Sequence, residues 1–225
     1  MEFSSIEDTV IRSRSTILDL LHDRGYNTGP YRNLVANDLV KLINTNNPET
    51  LAITLYGRDD LSHMKDKIVK VQYSFKSIKA SVSSGKFVED LINTEDENAK
   101  IDPITTEIIV IYLTKNYEED NESYDKGAYE AWVNYTLKIQ FFPIVRLVNN
   151  PLKHVFQPKF EIVPQEDHPA LLKEWFCRNK TQFPIIKFHN DMAARCLGLV
   201  PMDIVKITSF SPTAGEYIKY RVCLP

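Results

Sequence analysis

Residues 183–225 read FPIIKFHNDMAARCLGLVPMDIVKITSFSPTAGEYIKYRVCLP. Pro184 leads a short apolar run, Ile185-Ile186, that predicts a strand. Asp191 is placed to cap a short helix that stops at Gly198. The carboxylate of Asp191 and Arg195, four residues on, sit one helical turn apart, an arrangement that stabilises a helix by roughly 0.2–0.5 kcal/mol. Two alternating strands follow, joined by Ser211-Pro212-Thr213-Ala214-Gly215, with Gly215 expected at positive φ. Thr213-Ala214-Gly215 has one glycine, no following lysine, and leads into a strand rather than a helix. It therefore lacks the nest of N–H groups that cradles a phosphate. No polar residue here is grouped as a nucleophile with a base or as a metal cage. The stretch predicts a rigid helix-and-hairpin surface without chemistry of its own.

Composition agrees with a protein of ordinary globular type. The 225 residues are 43% hydrophobic and 25% charged, enough for one large domain or two modest ones. No apolar run approaches the roughly 20 residues of a membrane span, and the opening MEFSSIEDTV lacks the regions of a signal peptide. Cys177, Cys196 and Cys223 form no CxxC pair and are odd in number, so reduced thiols of a cytosolic or nuclear protein are expected. The net charge of −3 is uneven. Residues 151–225 carry 10 Lys and Arg against 7 Asp and Glu, whereas residues 1–150 carry 17 against 23. Neither half has the strongly basic balance of a free-standing nucleic-acid binder. Contact with DNA is thus expected to be local and assisted by a partner.

Residues 8–24 predict an amphipathic helix ended by Gly25, and Leu34–Ile43 a shorter one ending in the loop NTNNP. Alternation over Leu51–Tyr56 and Val69–Phe75 predicts half-buried strands, and the β-branched run Ile104–Leu113 a central strand. Lys86–Asn93 and Tyr124–Val133 read as helices, which makes a mixed α/β layer. Six of the 12 prolines lie from Pro143 to Pro184, and the boundary is placed at Asn149-Asn150-Pro151, giving domains 1–148 and 149–225. Strands are expected around Leu152–Phe156 and Phe160–Val163, then a helix over Glu166–Arg178 that buries Leu171, Leu172, Trp175 and Phe176. Tyr117–Glu122 reads as an acidic solvated loop.

The C-terminal string resembles the assembly module of the fifth subunit shared by eukaryotic nuclear RNA polymerases, a module that archaeal relatives carry without the jaw in front of it. The family pattern LP-x-I, D-P-x-A-R-x-x-G-L, a turn with Asp, V-x-K-I, S-x-T-A-G and Y-x-x-Y-R is met by Pro184 and Ile186, Asp191, Ala194, Arg195, Gly198 and Leu199, then Asp203, Val205, Lys206 and Ile207. It continues through Ser211, Thr213, Ala214 and Gly215 to Tyr217, Tyr220 and Arg221. Arg24-Gly25-Tyr26 resembles the turn closing the first helix of the eukaryotic-type jaw, and His154 with Pro158-Lys159 the entry to the assembly domain. The resemblance implies a mixed α/β jaw with a restriction-endonuclease-like core, followed by a small two-layer α+β assembly domain. Its two-part layout points to the eukaryotic-type lineage, including large DNA viruses with their own polymerase. Met192, Ser209 and Pro212 depart from the pattern and mark where a cognate partner should differ.

What the resemblance implies about function is a non-catalytic subunit of a DNA-dependent RNA polymerase, with no cofactor. Pro184, Arg195, Gly198, Lys206, Ser211, Thr213, Ala214, Gly215, Tyr220 and Arg221 would face the largest subunit, and other polymerase subunits would be partners too. The jaw would lie by downstream duplex DNA and touch its backbone without reading bases, through Ser123 and Lys126 at a helix start. Arg24 would lie at a DNA-facing turn or simply at a helix stop, pairing at the surface with Asp23 or another acid. The site of action would be the nucleus, or a viral factory or virion for a viral chain.

Two other functions make their own demands on the residues. A metal-dependent nuclease needs an acid and then Glu/Asp-x-Lys at the end of a central strand, and neither Val69-Lys70-Val71-Gln72 nor Glu107-Ile108-Ile109 supplies it. A free adaptor binding transcription factors through the jaw is the other. His154, His168, His189, Cys177 and Cys196 are zinc-ligand types at spacings that fit no common site, so no metal is expected.

Overall fold

A computed structural model of the protein describes residues 6–34, 36–43, 48–93, 101–114, 122–211, 213 and 215–225. The chain divides into two compact units, Met1–Asn149 and Asn150–Pro225.

The first unit opens with helix α1 (Ile6–Asp23), whose Val10, Ile17, Leu18, Leu20 and Leu21 are buried. Glu7 and Asp8 in its first turn complement the positive end of the helix dipole. Gly25 ends it at φ +98°: its N–H donates to the His22 carbonyl at 3.0 Å and that of Tyr26 to the Leu21 carbonyl at 2.9 Å, the paired bonds of a left-handed helix stop. Short helices α2 (Gly29–Arg32) and α3 (Ala36–Leu42) follow.

Four strands, β1 (Ile53–Tyr56), β2 (Ile68–Ser74), β3 (Thr106–Tyr112) and β4 (Lys138–Pro143), lie side by side in chain order. β1 is antiparallel to β2, whereas β2, β3 and β4 run parallel. Parallel neighbours need crossovers, supplied by helices α4 (Lys79–Ser83) and α5 (Lys86–Ile92), then by α6 (Glu122–Tyr135). Every residue of β3 is buried, because helices cover both faces of a parallel sheet. On one face Ile108, Val110, Tyr112 and Phe141 cluster with Val82, Val88, Tyr124 and Ala128 from the crossovers. On the other, the Tyr73 hydroxyl lies 3.3 Å from that of Ser13 on α1; burial, first of all, pushes this phenol up to about 12. Gly127 lets α6 approach α4, since a Cβ there would collide with Val82.

The second unit begins with a 3-10 turn over Pro151–Lys153, not the strand expected at Leu152–Phe156. The Asn150 side chain accepts the Leu152 N–H at 3.0 Å and Pro151 presets the turn, so local capping overrides the alternation of the sequence. β5 (Lys159–Val163) follows, and helix α7 runs only over His168–Glu174. The longer helix expected over Glu166–Arg178 is cut at both ends. A 3-10 turn precedes Pro169, and the chain turns left-handed at Phe176, φ +53°. The Phe176 N–H bonds the Lys173 carbonyl at 3.2 Å and the Cys177 N–H the Leu172 carbonyl at 2.8 Å. Trp175 and Phe176, expected in the core, are instead 46% and 94% exposed.

β6 (Ile185–Lys187), α8 (Met192–Leu197), β7 (Ile204–Ser211) and β8 (Gly215–Leu224) complete the unit. The strand order is β5-β7-β8-β6, antiparallel except for the parallel pair of β6 and β8. Leu171 of α7 clusters with Phe183, Ile204 and Val222 on one face. On the other, Val205, Ile207, Cys223 and Ile186 are buried. Both units therefore mix helices with a mixed sheet, α/β in the first and α+β in the second.

Candidate functional site

Asp191 accepts the N–H groups of Ala193 at 2.8 Å and Ala194 at 3.1 Å, the cap expected of it, and Gly198 closes α8 at φ +71°. Between them Arg195 is buried, and its Nη2 donates to the Asn190 carbonyl at 2.9 Å. Arg195 thus ties the helix to the loop before it rather than standing on the surface.

The strands place the remaining expected residues on opposite faces. Lys206 and Tyr220 are cross-strand partners, as are Val205 and Arg221 one step along; the two-residue period puts Lys206 and Tyr220 on the α7 face and Arg221 on the α8 face. Lys206 Nζ lies 3.9 Å from Glu161, which Lys159 holds at 2.6 Å. The hydrogen bond from Lys159, with the charge of Lys206 adding, holds the Glu161 carboxyl below its ordinary range. Tyr220 meets Trp175 at 5.4 Å and Phe183 at 6.1 Å between ring centres, an aromatic trio. Arg221 Nη1 donates to the Ile185 carbonyl at 3.1 Å, and Pro184, exposed, accepts the Val222 N–H at 2.9 Å. At the hairpin end Ser211 pairs with Gly215, which adopts φ +67°, and the Ser211 and Thr213 hydroxyls are 3.2 Å apart. Pro212 and Ala214 lie outside the described residues.

Sequence reasoning missed the apolar residues that this unit exposes. Besides Phe176 and Trp175, Phe210 is 84%, Tyr217 46% and Ile218 37% exposed. Phe210 stands in register with Lys206 and Thr208, a polar run, and that mismatch was the signal available in the sequence. Phe210 and Ile218 lie on the α7 face of the sheet and Tyr217 on the α8 face, so the exposed rings are spread over both faces.

In the first unit the expectation for Arg24 is corrected. Its guanidinium is not at the surface with Asp23 but enclosed. Nη1 meets Glu107 at 2.7 Å, with both side chains 8% exposed, and Nη2 donates to Gln140 Oε1 at 3.0 Å. Lys138 Nζ lies 3.2 Å from the other Glu107 oxygen, and the Tyr26 hydroxyl donates to that oxygen at 3.5 Å. The reason is topological: the helix stop at Gly25 turns the end of α1 back over the start of β3, where Glu107 and Lys138 are parallel partners. Burial alone would push the Glu107 carboxyl up, but Arg24 and Lys138 overcome it and hold the group below its ordinary value. Burial and the neighbouring carboxylate push the Tyr26 phenol up. Two cations already neutralise this one carboxylate, and no group of three metal-ligating side chains occurs among the described residues. The cluster has the character of a structural clamp. Ser123 is half-buried in the first turn of α6, and Lys126 is exposed, 3.7 Å from Glu130. Glu118, Glu119 and Asp120 lie outside the described residues.

Comparison with known proteins bears on the second unit. Residues 149–223 match the family described as RNA polymerase Rpb5, C-terminal domain. The chain is 44% identical to a DNA-directed RNA polymerase subunit Rpo5 of Nitrosopumilus maritimus over 68 residues, 30% of this chain and 80% of that protein. It is 33% identical to DNA-directed RNA polymerase V subunit 5C of Arabidopsis thaliana over 94 residues, 42% of this chain and 40% of that one. With the subunit rpabc1 of DNA-directed RNA polymerases I, II and III of Dictyostelium discoideum it shares 34% over 88 residues, 39% of this chain and 44% of that one. The matches thus span most of the archaeal protein but less than half of these two eukaryotic ones. Matches of this kind, reaching 80% of the length of an archaeal Rpo5 at 44% identity, assign the chain to the Rpb5/Rpo5 family of non-catalytic RNA polymerase subunits.

Proposed function

We propose that the second unit docks this chain onto the largest subunit of a multisubunit RNA polymerase, while the first forms part of the jaw beside downstream DNA. The observation that supports the docking is the number of exposed aromatic rings, Phe176, Phe210, Trp175 and Tyr217, on a unit of only 76 residues. Burying such rings against a partner is favourable by roughly 25 cal/mol for each Å2 of apolar surface. Pro184, Lys206, Ser211, Thr213, Gly215, Tyr220 and Arg221 would join the docking surface, with Arg195 and Gly198 keeping α8 rigid.

For the jaw we place the contact at the start of α6. The first turn of this helix of 14 residues holds Ser123, and its N–H groups have no carbonyl of the helix to donate to. Lys126 is exposed one turn on. Such a helix end offers its dipole to a phosphate oxygen, against the charge of Glu122 and Asp125 in the same turn, and reads no base. Arg24, held in its clamp with Glu107 at the start of β3, takes no part in this contact. The mixed sheet with its antiparallel edge strand is compatible with a restriction-endonuclease-like core, and the nucleus is the corresponding site of action.

Co-expression of the tagged chain with the largest subunit tests the docking. Stoichiometric recovery of the large subunit is expected, and its absence would overturn the reading. For the jaw, Lys126→Glu in the assembled polymerase should weaken retention of duplex DNA uniformly across sequences and reduce the salt slope by about one.

A further inference from the structure

Strand β8 spans ten residues, and β7 pairs with it from Gly215 to Val222. On its other side β6 covers only Val222, Cys223 and Leu224. The chain entering β6 does so through Pro184, which has no N–H to offer, and the strand extends no further toward Tyr220. From Glu216 to Arg221, β8 therefore has one neighbour where its sheet has room for two.

The direction of the backbone groups follows from the bonds at the covered end. The Cys223 N–H donates toward β7, to the Asp203 carbonyl at 2.8 Å, and its carbonyl accepts the Met202 N–H at 2.8 Å. The Val222 N–H points the other way, to the Pro184 carbonyl. Alternation in an antiparallel ladder then aims the N–H and C=O of Tyr220, Ile218 and Glu216 outward, away from β7. Among the described residues no backbone bond uses them. They form a row of three donors and three acceptors about 14 Å long.

Proteins usually blunt such an edge with proline, a bulge, brevity or inward charge. The opposite edge of this sheet, β5, has five residues and carries Lys159 and Glu161. The β8 edge carries charge too, at Glu216, Lys219 and Arg221, but it is long and has neither proline nor bulge. Its register with β7 is unbroken from Gly215 to Val222, and its side chains sort by face. On the α7 face stand Ile218 and Tyr220 beside Trp175; on the α8 face stand Tyr217, Lys219 and Arg221. Lys219 Nζ lies 4.7 Å from the centre of the Tyr217 ring.

We propose that the β8 edge from Glu216 to Tyr220 accepts a strand from the largest polymerase subunit, an extended segment in which apolar residues alternate with Asp or Glu. The apolar residues lie over Ile218, Tyr220 and Trp175, and the acids face Lys219 and Arg221. Main-chain bonds give the affinity, and the alternation gives the register. This inference rests on the docking reading above and names the means by which docking occurs.

Amide hydrogen exchange on the full chain, free and bound to the largest subunit, tests it. In the free chain the amides of Glu216, Ile218 and Tyr220 exchange fast, whereas those of Tyr217 and Lys219, bonded to β7, are slow. In the complex the first three slow by at least about 100-fold. A stable complex in which they still exchange as in the free chain overturns the strand addition and leaves docking intact. If no complex forms at all, the docking reading falls and the strand addition with it. Slowing that appears in the free chain as its concentration rises makes the occupant a second copy, which also overturns the proposal. Ile218→Pro deletes one outward N–H and leaves the β7 ladder untouched, since this position donates nothing to it. It should weaken binding tenfold or more, and Lys219→Glu with Arg221→Glu should weaken it and reverse its salt dependence. Unchanged binding by both variants overturns the proposal.

Discussion

Replacing Arg24 with methionine keeps the apolar stem of the side chain and removes the guanidinium that meets Glu107 at 2.7 Å. Glu107 would remain buried with Lys138 at 3.2 Å as its one cation. Losing one partner of a buried pair costs about 3–5 kcal/mol, because the surviving charge stays desolvated. The remaining contact with Lys138 puts the expected loss at the lower end, about 3 kcal/mol. For a unit of this size that lowers Tm by about 6–12 °C. Scanning calorimetry of the full chain at pH 7 reads the change, and the double variant Arg24→Met, Glu107→Gln should recover part of it, since the buried carboxylate is gone and only Lys138, 13% exposed, loses its partner. The pH dependence has a definite sign. Burial opposes the ionised Glu107, but Arg24 and Lys138 more than offset it and depress the folded carboxyl below 4.5. Its contribution is therefore present above pH 4.5 and is lost as pH falls through the lower folded value. The Met variant should forfeit that contribution and lose stability at a higher pH than the parent. A loss under about 1 kcal/mol at pH 7, or a double variant no better than the single, would refute the clamp.

Other substitutions probe separate joints. Gly127→Ala drives a methyl into Val82 between α6 and α4 and should cost about 1–3 kcal/mol, read from the urea midpoint. Asp191→Ala removes the cap from the Ala193 and Ala194 amides and should cost about 1 kcal/mol by the same assay. Phe176→Gly relieves the left-handed backbone at φ +53° and should raise the stability of the free chain by about 1 kcal/mol while weakening capture of the largest subunit.

The helix stop at Gly25, the central strand and the C-terminal hairpin were legible in the sequence because each is fixed by neighbours in the chain. A glycine after an apolar-periodic run, a β-branched run and a Gly-containing connection between alternating segments each act locally. The strand expected at Leu152–Phe156 failed for the same kind of reason, since one asparagine cap and one proline decided the turn. The burial of Arg24 was not legible. It depends on Glu107 and Gln140, 83 and 116 residues away, and only the parallel pairing of β3 and β4 brings them to one place. Exposure was read backwards for Trp175 and Phe176. A helical period promises a buried face only while the helix lasts, and α7 ends at Glu174. The open edge of β8 arises from how few residues β6 contributes, which strand propensity does not determine.

Phe176 carries a last consequence. A bulky ring sits where glycine would be at ease, and it is turned to water rather than to the core. Neither circumstance benefits the chain alone, so the isolated protein is an unfinished object, less stable and less soluble than its own sequence could make it. Made in excess of its partner, it leaves that ring in water, and its abundance is then best matched to that of the assembly it completes.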